Sequence, residues 1–218
     1  MADVLLYTAH AELTPEAPGA AALLSPDRLA AAERLRDPRA RACSVTADLV
    51  LRAAARAFDP AVPLPLVRAA DAHGKPCLPA LPGFAFSLSH SGGRVLCAVA
   101  DTPVGADIEL PRPVRPGLPA RYCTPEEQAM LSAHPDWFFD LWMCKEAVMK
   151  CCGLGLSLPI REIPLTGFPS PRLAAPVRGV RYALALVPLP DGARCAVCVP
   201  GDTPPSVSVR PLAASDLL

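Results

Sequence analysis

Two hydrophobic periodicities divide the chain. From Pro38 onward, Val45, Leu49, Val50 and Ala53 recur at helical spacing, which predicts a helix to about Phe58. A second helical stretch, residues 137–152, carries Phe138, Leu141, Trp142, Met143, Val148 and Met149. Asp136 is its expected cap and Gly153 its expected stop. Ser25-Pro26 opens a shorter helix to about Leu35, with Ser25 as N-cap and Pro26 at the first helical position. Thr124-Pro125-Glu126-Glu127 has the spacing of a capping box and opens another.

Strand patterns fill much of the rest. Residues 3–10 read as a first strand. Phe84, Phe86 and Leu88 alternate with polar positions through Ser91, so residues 84–91 read as a strand with the apolar side buried. Residues 95–100 return as its hairpin partner, and residues 104–110 supply a third strand of the same sheet. Residues 66–70, 161–165, 180–188 and 194–199 have strand character. Residues 14–22, 60–65 and 111–119 are loops rich in proline, and Asp71–Pro76 is a turn. Residues 201–218 read as a loose tail. There is no tandem repeat.

Composition adds limits. A chain of 218 residues with 51% hydrophobic content is long enough to bury a core, so its 28 prolines are read as stiff loops and not as disorder. Lys+Arg and Asp+Glu are both 21, so no overall field favours nucleic acid or an acidic membrane, and any anion binding has to be local. No apolar run reaches the ~20 residues of a membrane span. Residues 1–6 lack the basic start of a signal peptide, and nine cysteines without framework spacing suit a reducing compartment, which sets the expectation of a cytoplasmic protein. Cys195-x-x-Cys198 lies in an apolar strand with no second pair, so the thiols are expected to be structural.

Chemistry collects in four places. Asp107 and Glu109 stand two apart in Val104–Leu110, on one side of a strand, with Ala106 and Ile108 on the other. They are either solvated acids or oxygen ligands of a hard cation such as magnesium. Glu146 and Lys150 are i,i+4 neighbours on an otherwise apolar helix, readable as a surface ion pair or as a metal ligand or base beside a phosphate partner. His90, flanked by Ser89, Ser91 and two glycines, is either a packed histidine or part of an anion-binding turn. Arg36, Arg39 and Arg41 crowd the first turns of the long helix, and Lys75 sits in the Gly74-Lys75-Pro76 turn. Together these groups are what a magnesium-dependent enzyme acting on a diphosphate needs.

Gly74-Lys75-Pro76, Phe86-Ser87-Leu88-Ser89-His90-Ser91, Gly105-Ala106-Asp107-Ile108-Glu109 and Trp142-Met143-Cys144-Lys145-Glu146-Ala147-Val148-Met149-Lys150, in that order, resemble the motif series of the 4′-phosphopantetheinyl transferases, in their surfactin-type single-chain branch. The resemblance implies an α+β fold of two similar halves related by a pseudo-twofold axis. The halves would be residues 1–103, binding coenzyme A, and residues 104–200, carrying the metal and catalytic motifs, followed by the tail. It implies transfer of the 4′-phosphopantetheine arm of coenzyme A to a serine of an apo acyl or peptidyl carrier protein, with release of 3′,5′-ADP. Asp107, Glu109 and Glu146 match the magnesium-binding acids, with manganese a possible substitute. Glu146 matches the base on the carrier serine, and Lys150 the lysine that holds the diphosphate. Ser89 and His90 match residues on the nucleotide's phosphates, and Lys75 lies in the segment lining the coenzyme A site. Arg28, Arg39 and Ser44 are candidates for the 3′-phosphate. Glu127 falls where the family often has an acid beside the site.

The resemblance further implies a monomer whose 111–122 loop helps dock the carrier, usually an acidic helical bundle. Two positions depart from the family. Ser87 stands where asparagine is usual, and Leu154 where a basic residue is common. Two other readings fit the same residues: a magnesium-dependent hydrolase or nucleotidyl transferase for another diphosphate, and a non-catalytic coenzyme A or carrier-binding module.

Overall fold

The computed structural model describes residues 1–169 and 173–218. In chain order the strands are β1 (Asp3–His10), β2 (Ala69–Ala70), β3 (Pro76–Cys77), β4 (Ala85–Ser91), β5 (Arg94–Ala100), β6 (Gly105–Ile108), β7 (Leu173–Val177), β8 (Val180–Pro188), β9 (Arg194–Pro200) and β10 (Ser206–Pro211). The helices are α1 (Ala20–Leu23), α2 (Pro26–Glu33), α3 (Pro38–Phe58), α4 (Leu118–Tyr122), α5 (Pro125–Ala133) and α6 (Phe138–Cys152).

Two four-stranded sheets, ordered β10-β1-β5-β4 and β6-β9-β8-β7, form the centre of an α+β architecture. Alternation explains the layering. On the first sheet, Tyr7, Val95, Cys97 and Val99 join the core with Val45, Leu49 and Val50 of α3. Leu6, Leu96 and Ala98 share a different core with Ala106, Ile108, Cys195, Val197 and Val199 of the second sheet. From that sheet Ala196 and Cys198 pack with Met143, Ala147 and Val148 of α6. The order of layers is therefore α3, sheet, sheet, α6. Strands β5 and β9 are covered on both faces, which is why, after their first residues Arg94 and Arg194, their sequences are continuously apolar instead of alternating.

Local chemistry fixes the helix starts. Asp37 caps α3 by accepting from Arg39 N at 3.1 Å, with Pro38 at the first helical position. The Thr124/Glu127 capping box of α5 is present in both directions, 2.8 and 3.2 Å. Ser25 holds the N-cap position of α2, but its hydroxyl makes no capping bond. Gly153 ends α6 in the left-handed region, φ 72°.

Five expectations need correction. Residues 201–218 are no loose tail: β10 runs parallel to β1 from Asp3↔Ser206 to Thr8↔Pro211, and Leu217 is fully buried in the α3 core. The Ser-Val-Ser-Val alternation of β10 is the signal, with Val207 and Val209 facing the core between the sheets. Residues 161–165 are no strand. Ile160–Glu162 is a 3-10 turn whose Ile160 and Ile163 enter the α6 core at a spacing of three, and Pro164 cannot donate to a ladder. Of residues 66–70 only Ala69–Ala70 pairs, with Pro76–Cys77. Asp136 does not cap α6. It lies in a 3-10 turn, Pro135–Trp137, and Trp137 occupies the cap position. Finally, β6 is not a third strand of the hairpin sheet, because its backbone pairs with β9.

Candidate active site

Strand β6 meets the hairpin through side chains. The hydroxyls of Ser87, Ser89 and Ser91 point from β4 toward β6 and accept from Ala106 N (2.9 Å), Ile108 N (3.4 Å) and Leu110 N (3.3 Å). The offset is 19 residues each time, so three serines at period two stand where a neighbouring strand's carbonyls would be. The backbone donors of β6 are thereby satisfied at a joint between two sheets. Ser87, one of the two positions expected to depart from the family pattern, fills this role. Leu154, the other departure, packs partly buried against the α6 core.

The same comb holds both acids, Asp107 on β6 and Glu109 one residue past its end. Ser89 Oγ donates to Asp107 Oδ1 at 2.6 Å, and Ser91 Oγ donates to Glu109 Oε2 at 2.8 Å. Lys150 reaches Asp107 Oδ1 from α6, Nζ at 2.6 Å, and also donates to Ala106 O at 3.2 Å. Helix α6 is buried except at its last residue, Cys152, and along Trp142, Glu146 and Lys150, which stand half-buried at i, i+4 and i+8 and so present one stripe. Burial pushes the Asp107 carboxyl above the usual range, with Lys150 and Ser89 pulling back and Glu109 adding to the rise. Glu146 is raised too, by burial first and then by Asp107, while Lys150 opposes. Asp107, Glu109, Glu146 and Lys150 therefore share one field.

Among the described residues no three of His, Cys, Asp and Glu stand close enough together to hold an ion as placed. The chemistry of the group nonetheless fits a hard cation. Asp107 Oδ2 is buried without a hydrogen-bond partner, and three carboxylates repel one another there.

A cavity of about 250 Å³ opens beside Lys150, lined by Gly74, Lys75, Pro76, Phe86, Ser87, Met149 and Gly153 among others. A second, about 400 Å³, shares Lys75, Pro76, Phe86 and Gly153 with it. The Lys75 ammonium is committed to two carbonyls, Val104 O and Cys151 O, each at 3.1 Å, so it ties the entrance of β6 to the end of α6. Burial lowers its pKa.

The other candidates divide. Arg28 and Ser44 come together: Arg28 donates to Asp48 Oδ2 at 2.8 Å and to Ser44 Oγ at 3.3 Å, and Arg68 takes the other Asp48 oxygen. Arg39 is exposed in the first turn of α3 and belongs to no ion pair of the described residues. His90 is exposed on the face of β4 opposite Ser89. None of Arg28, Arg39, Ser44, Ser89 and His90 lines the cavity beside Lys150. Glu127 is drawn away from the site, since its Oε2 pairs with the buried Lys145 Nζ at 2.6 Å. Sequence reasoning named Ser91 only as a neighbour of His90 and gave Lys145 no role. The period-two serines were the available signal for the first. For the second it was a lysine on the apolar side of α6. Cys195 and Cys198 face opposite sides of β9, both buried, as structural thiols do.

The fold and this constellation define an α+β protein with an acid and lysine centre at a joint between sheets. The family model of the 4′-phosphopantetheinyl transferase superfamily matches residues 103–198. The 4′-phosphopantetheinyl transferase HetI of Nostoc sp. is 33% identical over 192 residues, covering 83% of this chain and 80% of the relative. A 4′-phosphopantetheinyl transferase of Bacillus subtilis is 39% identical over 118 residues, 52% of this chain and 53% of its own. Sfp of Bacillus subtilis (strain 168) is 41% identical over 93 residues, 40% and 42%. The matches thus span about half or less of the length of these Bacillus relatives. The chain belongs to the 4′-phosphopantetheinyl transferase superfamily.

Proposed function

We propose that this protein transfers the 4′-phosphopantetheine arm of coenzyme A to a serine hydroxyl of an apo acyl or peptidyl carrier protein and releases 3′,5′-ADP. The observation that carries the reading is the pairing of Asp107 with Ser89 and Lys150, beside Glu146 on the half-buried stripe of α6. In this reading Asp107, Glu109 and Glu146 would hold magnesium, or manganese in its place. That ion, when bound, neutralises charge on the diphosphate oxygens.

The chain's own groups do the rest. Glu146 takes the proton of the carrier serine as its oxygen bonds to phosphorus, and burial suits it to that work by raising its basicity. Lys150 meets the charge that develops on the departing phosphate. The cavity lined by Gly74, Lys75 and Pro76 receives one part of coenzyme A; Ser89 and His90, for its phosphates, and Arg28, Arg39 and Ser44, for the 3′-phosphate, lie outside that cavity and would meet the parts that extend beyond it. The groove of Arg112, Arg115, Leu118, Tyr122, Phe139 and Trp142, next to Glu109, offers cationic and aromatic surface to an acidic carrier.

Two four-stranded sheets, each backed by one long helix, support a reading as two similar halves, 1–103 and 104–200, with β10 returning to the first sheet. A site built within one chain supports a monomer, and nine free thiols support a reducing cytoplasm. No helix of the described residues is long and apolar enough to cross a membrane.

Glu146→Gln and Asp107→Asn test the roles. Each is expected to slow transfer by about 10²–10⁴-fold while circular dichroism stays that of the parent. Full activity of Glu146→Gln would remove it as the base.

A further inference from the structure

The site of this reading has a second layer, and the resemblance gave its serine no role. We propose that Ser91 is a positioning residue for Glu109, and that β4 thereby sets the geometry in which the acids of β6 hold a divalent cation. The inference rests on the reading of Asp107 and Glu109 as cation-holding acids.

Each serine of the comb accepts a backbone N–H of β6 or of Leu110 just beyond it; Ser87 also donates to Ala106 O at 3.5 Å, and only Ser89 and Ser91 donate to a carboxylate. Ser89 donates to Asp107 and Ser91 to Glu109, whereas Ser87 faces the stretch begun by Gly105, where no carboxylate exists to receive it. Each of the two hydroxyls is fixed at both ends: its oxygen by the N–H of Ile108 or Leu110, its proton by the acid. Glu109 lies one residue past the end of β6, so no strand partner orders it. Its Oε2 accepts from Ser91 Oγ and from Arg112 Nη1, both at 2.8 Å. Arg112 is the exposed partner, with 54% of its side chain accessible against 19% for Glu109, so its hold is weak. Ser91 is the sheltered one.

The turn after Ser91 keeps it there. Gly92 has φ 56°, and a Cβ on it would lie 2.0 Å from Leu110 Cδ1, so the hairpin tip presses on the residue that follows Glu109. A hydroxyl that donates to one carboxylate oxygen leaves the other free and fixes the plane of the group, which is how outer partners act on metal ligands.

Manganese uptake tests this without relying on turnover. Free manganese is followed by electron paramagnetic resonance in the presence of saturating coenzyme A. Ser91→Ala is expected to weaken uptake by about 10–100-fold. Ser91→Thr, which keeps the hydroxyl and suits a strand, is expected to stay within about 3-fold of the parent. Uptake by Ser91→Ala equal to the parent overturns the inference. So does a loss in Ser91→Thr as large as in Ser91→Ala. Failure of the parent itself to take up manganese overturns the cation reading, and this inference with it.

Discussion

Adjacent residues on α6 serve opposite ends of the molecule's chemistry. Glu146 lies on the half-buried stripe with Trp142 and Lys150, whereas Lys145 points the other way, is 1% exposed, and pairs with Glu127 while donating to Tyr122 O at 3.4 Å. A lone charge at such depth is expensive, and Glu127 Oε1 already lacks a partner among the described residues. Lys145→Met should therefore cost about 3–5 kcal/mol in urea unfolding, and combining it with Glu127→Gln should recover part of that loss. Costs that simply add would mean the two groups do not act as a pair. From sequence, the four charges of this neighbourhood looked alike. Period and motif order picked out Asp107, Glu109, Glu146 and Lys150. The capping-box spacing read Glu127 as a cap of α5, but its second role, as counter-ion to Lys145 of α6, was not legible because it depends on where two helices cross.

At the scale of elements, β6 and α6 touch backbone to backbone. A Cβ on Gly105 would lie 1.9 Å from Ala147 O and 2.4 Å from Cys151 N. Gly105→Ala should therefore destabilise the protein by about 3 kcal/mol, with loss of transfer, since the helix must shift and carry Glu146 and Lys150 with it. A variant as stable and active as the parent would contradict that close approach. The C-terminal element gives a second test. Leu217 is fully buried against the α3 core, so Leu217→Ala should cost about 2–5 kcal/mol by thermal or urea unfolding, where a loose tail would lose almost nothing. Helices with caps and strong periodicity were legible: α3 starts and ends where its prolines, Asp37 and apolar spacing place it, and α5 has its capping box. Short elements were not. β10 pairs with a strand some 200 positions earlier, and Ile160–Glu162 turns because Ile160 and Ile163 have a core to enter, facts that belong to tertiary contact and not to local pattern.

At the scale of the whole molecule, the two sheets share a core, and the acids stand where the serine comb of β4 meets β6. The sequence made the site's ingredients readable because they fall in four short motifs. It misled on how they assemble: β6 was expected as a third strand beside the hairpin and is instead the edge of the other sheet, stitched across by hydroxyls. Ser87, a departure from the family pattern, becomes intelligible once that joint is seen. Exposed His90 and Arg39 stay outside the cavity beside Lys150. The central claim is the transfer itself. Intact-protein mass spectrometry of an apo carrier protein, incubated with this protein, coenzyme A and magnesium, reads it directly. The account predicts that the carrier gains one phosphopantetheine group, and that the gain disappears when the metal is chelated. An unmodified carrier across acyl and peptidyl types, with coenzyme A either untouched or cleaved in the same tubes, would contradict it.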